Sequence, residues 1–276
     1  MSSTNETISI ALISDIHLGE LVEHRPGGEA AGILSALVNK LNNEIHPDIV
    51  VELGDRINNA SVIADTANEM EVNSLLGALN MPRYMVLGNH DIHYIGKAKN
   101  LEIFSLKAPY RVDFFNGFKL MFIDTVDPVI GECGGHVSSE QLAWLRLELE
   151  NDDLPKVIFG HHALAAQHQG GNPLFKALPG QQYVQNRKEV LEIIKQGKNV
   201  LTYINGHVHW FYFLAGQGIP FISAPSILET WTQTSQAAGH YCIVTISTHG
   251  AIQAVVRSMV PDRVLGRFEY RVDESM

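Results

Sequence analysis

Six apolar runs rich in Val, Ile, Leu, Phe and Tyr recur along the chain, and five of them stop at a short polar cluster. They span Ile8 to Ser14, Asp48 to Leu53, Arg83 to Leu87, Lys119 to Ile123, Val157 to Phe159 and Val200 to Ile204. None alternates cleanly between apolar and polar residues, so each predicts a strand buried on both faces. Helical patterns lie between them. Ile33, Leu34, Leu37, Val38 and Leu41 trace one helix face, and Leu142, Leu145 and Leu149 trace another. Ser138 with Gln141 has the form of a capping box, and Asn186 with Glu189 opens a third helix that stops near Gly197.

From Pro220 the alternation of strand and helix ends. Pro220 to Ala224, His240 to Ser247, Ala251 to Arg257 and Gly266 to Val272 read as short strands, with Thr248-His249-Gly250 as a turn. Trp210-Phe211-Tyr212-Phe213 reads as core strand. No low-complexity linker or repeat divides the chain. The expectation is an α/β fold of two stacked sheets covered by helices. It forms one domain over residues 1–276, with a β-rich part from about 220.

A formal net charge of -10 argues against a basic grip on a nucleic-acid polymer. A small anionic substrate stays open, because bound cations reverse a local field. Two cysteines, Cys133 and Cys242, are too few for a disulfide framework and suit a reducing compartment. The N-terminal segment is polar with no basic residue, and no apolar stretch has the length of a membrane span. A cytoplasmic protein without a membrane partner is expected, and the apolar end from Pro220 could supply a homodimer interface.

The polar clusters are Asp15-Ile16-His17, Gly54-Asp55, Gly88-Asn89-His90-Asp91, Gly160-His161-His162 and Gly206-His207-Val208-His209. Together they offer carboxylate, amide and imidazole donors, a ligand set for two divalent transition-metal ions. Manganese or iron fits it first, with zinc or cobalt as alternatives. Each cluster follows a predicted strand, where ligands gather in parallel-type sheets. Gly54, Gly88, Gly160 and Gly206 stand just before Asp55, Asn89, His161 and His207, and a residue without Cβ lets backbone approach a metal or phosphate closely. Two ions ~3.5–4 Å apart polarise a phosphoryl oxygen and generate a hydroxide nucleophile near neutral pH. A histidine outside the ligand set could protonate the leaving group.

In this order the motifs D-x-H, G-D, G-N-H-D, G-H and G-H-x-H resemble the calcineurin-like metallophosphoesterase superfamily. The resemblance implies a four-layer α/β/β/α sandwich of two mixed sheets flanked by helices. It also implies that Asp15, His17 and His209 hold one ion, that Asp55 bridges, and that Asn89, His161 and His207 hold the second. His90 would contact the phosphate and assist the leaving group. His161 rather than His162 as the ligand rests on the same resemblance. Size and motifs look most like class III cyclic nucleotide phosphodiesterases and bacterial glycerophosphodiesterases. Two departures lie near the pocket. Arg56-Ile57-Asn58-Asn59 follows the bridging aspartate, where many relatives have an aliphatic and then an acidic residue, and Ala163 stands where many have proline.

Arg56 either contacts substrate phosphate or pairs with a nearby acid, and His162 either contacts substrate or supports the metal ligands from behind them. Asp91 either orients His90 or caps the next segment. His93, His136, His168 and Tyr183 are further candidates for contacting substrate, while His24, His46 and His249 read as ordinary surface or hydrogen-bonded side chains. The irregular stretches Glu20 to Gly28 and Ala165 to Gln182 are each either a place for substrate selection or a simple connector. The expected activity is hydrolysis of small phosphodiesters, a cyclic nucleotide or a glycerophosphodiester, by a metal-bridging hydroxide. A phosphomonoesterase or nucleotide pyrophosphatase would use the same site, and a protein-interaction scaffold is the alternative outside enzymes.

Overall fold

The structure, a computed structural model, describes residues 6–22, 24–166, 172–215, 218–229 and 237–271. Its first sheet joins β1 (Thr7–Ile13), β4 (Ile49–Glu52) and β5 (Arg83–Met85), all parallel, to a C-terminal antiparallel meander. That meander is β12 (His240–Ser247), β13 (Ile252–Met259) and β14 (Asp262–Tyr270), and the sheet order is β14-β13-β12-β1-β4-β5. The second sheet has the order β10-β11-β9-β8-β7-β6. Its members are β6 (Arg111–Phe115), β7 (Phe118–Phe122), β8 (Lys156–Gly160), β9 (Val200–Asn205), β10 (Tyr212–Leu214) and β11 (Phe221–Ser223). A two-residue ladder, β2 (Leu21–Val22) with β3 (Arg25–Pro26), shapes the loop after β1.

The pleat explains the layers. Ile8, Ile10 and Leu12 of β1 face Phe118, Leu120, Phe122, Val157, Phe159 and Ile204 of the other sheet, forming the core between the sheets. Ala11 and Ile13 point the other way, onto Leu34, Leu37 and Val38 of α1 (Ala30–Lys40) and Val72 and Leu76 of α2 (Val62–Leu76). Outside the second sheet, Met121, Ile123 and Ile158 pack on α4 (Ser139–Glu150) and α6 (Arg187–Gln196). The order is helix, sheet, sheet, helix, as expected. The C-terminal strands do not form the second sheet by themselves. β12 pairs antiparallel with β1, so the first sheet joins both ends of the chain.

Local departures have local causes. Ser138 Oγ accepts from Gln141 N, but the Gln141 side chain does not close the box. It bonds the backbone of Asp124 at both its amide atoms, each at 2.8 Å. Asn186 likewise leaves its helix uncapped and spans Val137 N and O. Neither α2 nor α3 (Gly96–Phe104) was expected. Val62, Ile63 and Met70 of α2 are exposed while Val72 and Leu76 are buried, so its apolar residues trace no single face. β10 carries Tyr212 and Phe213 at a sheet edge, half-buried rather than in the core.

Phe159 is buried between the sheets with its ring 5.2 Å from that of Phe122. Phe159→Ala is expected to cost about 3–5 kcal/mol in denaturant unfolding. A loss below about 1 kcal/mol would contradict the packing described.

Candidate metal centre

The carboxyl ends of β1, β4 and β5 in one sheet meet those of β8 and β9 in the other. Backbone bonds tie the loops that leave them. Asp15 N donates to Gly54 O at 3.1 Å, His17 N to Asp55 O at 3.0 Å, and Gly206 N to His161 O at 3.0 Å. Across the sheets, His207 N donates to Asp15 Oδ2 at 3.1 Å. The turns are tight enough that Asp15, His17, Asp55, His207 and His209 take φ of 53°, 49°, 56°, 65° and 60°. Left-handed backbone costs a non-glycine residue on the order of 1 kcal/mol or more, and such strain gathers at functional sites. Gly54 shows why glycine precedes Asp55. A Cβ there would lie 2.6 Å from Gly88 N and 2.8 Å from His161 Nδ1.

Four overlapping sets of donor atoms, each within 4.8 Å of one another, result: Asp15 with His17 and His209; His17 with Asp55 and His90; Asp15 with Asp55 and His161; His161 with His162 and His207. Asn89 Oδ1 adds a neutral oxygen 3.2 Å from His161 Nε2. Eight residues expected at the site are thus in one place: Asp15, His17, Asp55, Asn89, His90, His161, His207 and His209.

Partners fix the imidazoles. His161 Nδ1 donates to Leu53 O at 2.7 Å, and His209 Nδ1 to Glu229 Oε2 at 2.8 Å. Each Nε2 is left facing a carboxylate, Asp55 Oδ2 or Asp15 Oδ1, at 3.4 Å. Burial opposes the imidazolium at His161, yet the Asp55 carboxylate raises it to about 9. At His209 burial is likewise overcome, by Asp15 and Glu229, which raise it to about 10. Burial holds His17 and His207 well below the usual histidine value, helped by Arg25 at His17 and by His162 at His207. Asp55 stays well below the carboxylate range, because His161 and His90 outweigh its burial.

Two expected substrate contacts are corrected. Arg56 is fully buried, and its guanidinium meets Glu52 at 2.7 Å, Glu69 at 2.8 Å, Asp91 at 3.0 Å and Asn100 at 3.0 Å. Of its two readings, pairing with acid is the one seen. His162 is also buried. Its Nε2 donates to Cys133 O at 2.7 Å and its Nδ1 accepts from the Thr125 hydroxyl at 2.9 Å, while burial pushes it down to about 3. It braces a loop and does not line the cavity that opens over Asn89 and His90. Asp91 neither orients His90 nor caps a helix. It accepts from Gly88 N, Asp55 N and Arg56 N at 2.8, 3.1 and 2.7 Å.

A cavity of about 890 Å³ opens over Asn89 and His90, lined also by Arg25, Asn59, His93 and Lys97. His93 is therefore at the pocket. His136 instead bonds Asp127 O at 3.0 Å, and Tyr183 lies under the Arg187 guanidinium at 4.2 Å. His168 lies outside the described residues, and so does part of the stretch 165–182. Sequence reasoning did not single out Arg25 or Glu229, and it reached Asn59 only as the end of Arg56-Ile57-Asn58-Asn59. Of Arg25 and Glu229, Arg25 had a signal, since it falls in the irregular stretch from Glu20 to Gly28.

Two mixed sheets flanked by helices, with aspartates and histidines gathered at their strand ends, define a metallophosphoesterase fold. The profile of the calcineurin-like phosphoesterase family matches residues 8–211, and the chain belongs to that family. It is a phosphoester hydrolase, and the family generally binds a dinuclear metal centre. The chain is 28% identical over 186 residues to a glycerophosphodiester phosphodiesterase, GpdQ, of Enterobacter lignolyticus, covering 63% of this chain and 60% of that protein. A probable cyclic nucleotide phosphodiesterase of Moraxella catarrhalis is 24% identical over 81% of this chain and 80% of its own length. A dimetal phosphatase from Danio rerio has the same fold, with a TM-score of 0.73 at 17% identity, covering 95% of this chain and 98% of that one.

Arg56→Ala would strand three buried carboxylates, and is expected to cost about 3–5 kcal/mol. Thermal unfolding should fall by roughly ten degrees. A shift of a degree or less would contradict the role given to this cluster.

Proposed function

We propose that the chain is a dinuclear-metal phosphodiesterase acting on small phosphodiesters, of the cyclic nucleotide or glycerophosphodiester kind. The observation that carries this reading is the sharing of Asp55 between two donor sets, one reaching His17 and one reaching Asp15 and His161. The donors suit two borderline cations such as manganese or iron, with zinc or cobalt tolerated. Asp15, His17 and His209 are proposed for one ion, Asp55 as the bridge, and Asn89, His161 and His207 for the other. Bonds from the far ring nitrogens of His161 and His209 support this, as metal-binding histidines are usually fixed in that way. Two bound cations would supply Lewis acidity at phosphorus and a more acidic water.

The remaining work falls to the chain. Asn59 Oδ1 accepts from His90 Nδ1, which turns His90 Nε2 into the cavity, 4.0 Å from Asp55 Oδ2. With the Arg25 guanidinium moved from that nitrogen onto substrate, the His90 imidazolium would pass its Nε2 proton to the leaving oxygen. Burial lowers the His90 pKa, which makes its imidazolium the stronger acid. Cys133 and Cys242 are free thiols, as a reducing cytoplasm would leave them.

Asp55→Ala or Asn89→Ala should abolish hydrolysis of bis(p-nitrophenyl) phosphate by manganese-loaded protein, and full activity in either would sink the reading. His90→Ala should retain its manganese while losing about 10²–10⁴ in turnover. Loss of the metal instead would make His90 a ligand.

Ligation takes neutral imidazole. His161 and His209, raised to about 9 and about 10 without metal, are protonated at neutral pH. Manganese loading there should expel about two protons, and affinity should climb with pH until both groups have titrated and vanish on acidification. Calorimetric titrations in buffers of different ionisation enthalpy read the proton count, and a count near zero would contradict the assignment.

A further inference from the structure

Two cationic side chains line the cavity over the centre, and they are not equivalent. Lys97 Nζ is paired with Asp124 Oδ2 and lies 3.3 Å from Asp127 Oδ1. Arg25 pairs with no carboxylate among the described residues. Its Nη1 lies 3.1 Å from His90 Nε2 and 3.5 Å from His17 Nδ1. A guanidinium without a counter-charge, held at the rim of a cavity, is placed to take an anion's oxygen. The other charges that line the cavity, Asp127 and Glu132, are negative. One anionic charge is welcome there and a second on the ligand is not.

Beyond Asn59, Asn89, His90 and His93 at the centre's edge, the lining carries an apolar group of side chains: Ile92, Val126, Pro128, Val129, Leu174 and Leu178. Much of this wall is built in advance. Ile130 and Gly134 exchange backbone bonds at 2.7 and 2.9 Å. Gln181 Oε1 accepts from Glu132 N and Cys133 N at 2.9 and 2.8 Å, and His162 holds Cys133 O. An apolar group entering here has little loop left to order, and apolar burial then contributes most of its free energy to binding.

We propose that the cavity selects a singly charged phosphodiester with one apolar or aromatic ester arm. Arg25 binds a non-bridging phosphoryl oxygen, and the arm lies against Val126, Pro128 and Val129. The position of phosphorus rests on the phosphodiesterase reading above. A substrate whose arm carries a further charge, such as a second phosphate, is disfavoured by Asp127 and Glu132.

The test is calorimetric binding of three diesters to manganese-loaded protein: diphenyl phosphate, dimethyl phosphate and bis(4-carboxyphenyl) phosphate, in which either arm offered to the wall carries the added carboxylate. Diphenyl phosphate should bind at least tenfold more tightly than dimethyl phosphate, and the added carboxylate should remove that gain. Arg25→Gln should weaken both uncharged-arm diesters about tenfold at unchanged manganese content, and Arg25→Lys should recover part of the loss. Val129→Asn should draw diphenyl phosphate toward dimethyl phosphate. Equal affinities in the wild type, or unaltered binding in Arg25→Gln, would overturn the proposal. The two readings fail separately. Selective binding with no diester hydrolysed would remove the phosphodiesterase assignment alone, and unselective hydrolysis would remove this one alone.

Discussion

The Asp91 carboxylate joins the loops on which the rest of the centre depends. Three backbone amides, those of Gly88, Asp55 and Arg56, point at it, and the Arg56 guanidinium closes on its side. The loop after β4 and the loop after β5 are thereby held against each other, close enough that His90 N donates to Asp55 Oδ1 at 2.9 Å. Glycine at positions 54 and 88 makes the approach possible, since a Cβ on Gly88 would collide with Asp55 N and Oδ1. One cation then serves three buried acids. Burial pushes Glu52 up to about 7 and Glu69 well above the carboxylate range, so protons relieve part of the excess charge. Such a cluster stabilises little by itself, but removing one member leaves the others uncompensated.

The donor residues above this base divide by charge state. His161 and His209 face carboxylates and gain protons without metal, whereas His17 and His207 are buried among other imidazoles and stay neutral. A pocket so arranged alternates fixed negative and displaceable positive charge. That is the electrostatic pattern a pair of divalent cations would replace on binding.

The positions of the strands and the donor clusters were legible because both are local. An apolar run followed by Gly and a polar residue carries its meaning within a few positions, and the five ends converge as parallel strands require. The helices α2 and α3 were not legible, since packing decides which of their residues are buried. The residues that support the site act over distance instead. Asp91 reaches Asp55 across 36 positions, Arg25 reaches His90 across 65, and Glu229 reaches His209 across 20. No spacing rule links such pairs. Arg56 shows the ambiguity best: its place beside Asp55 fits a phosphate contact or an ion pair equally, and only the fold turns its side chain inward.

The central claim is that these strand ends form two cation sites sharing Asp55. Anomalous diffraction at the manganese edge, from crystals of the manganese-loaded protein, tests it most directly. Two anomalous peaks are predicted, one on each side of the Asp55 carboxylate, the first beside Asp15, His17 and His209 and the second beside Asn89, His161 and His207. No peak at these residues, or a single peak that Asp55 does not touch, would contradict the account.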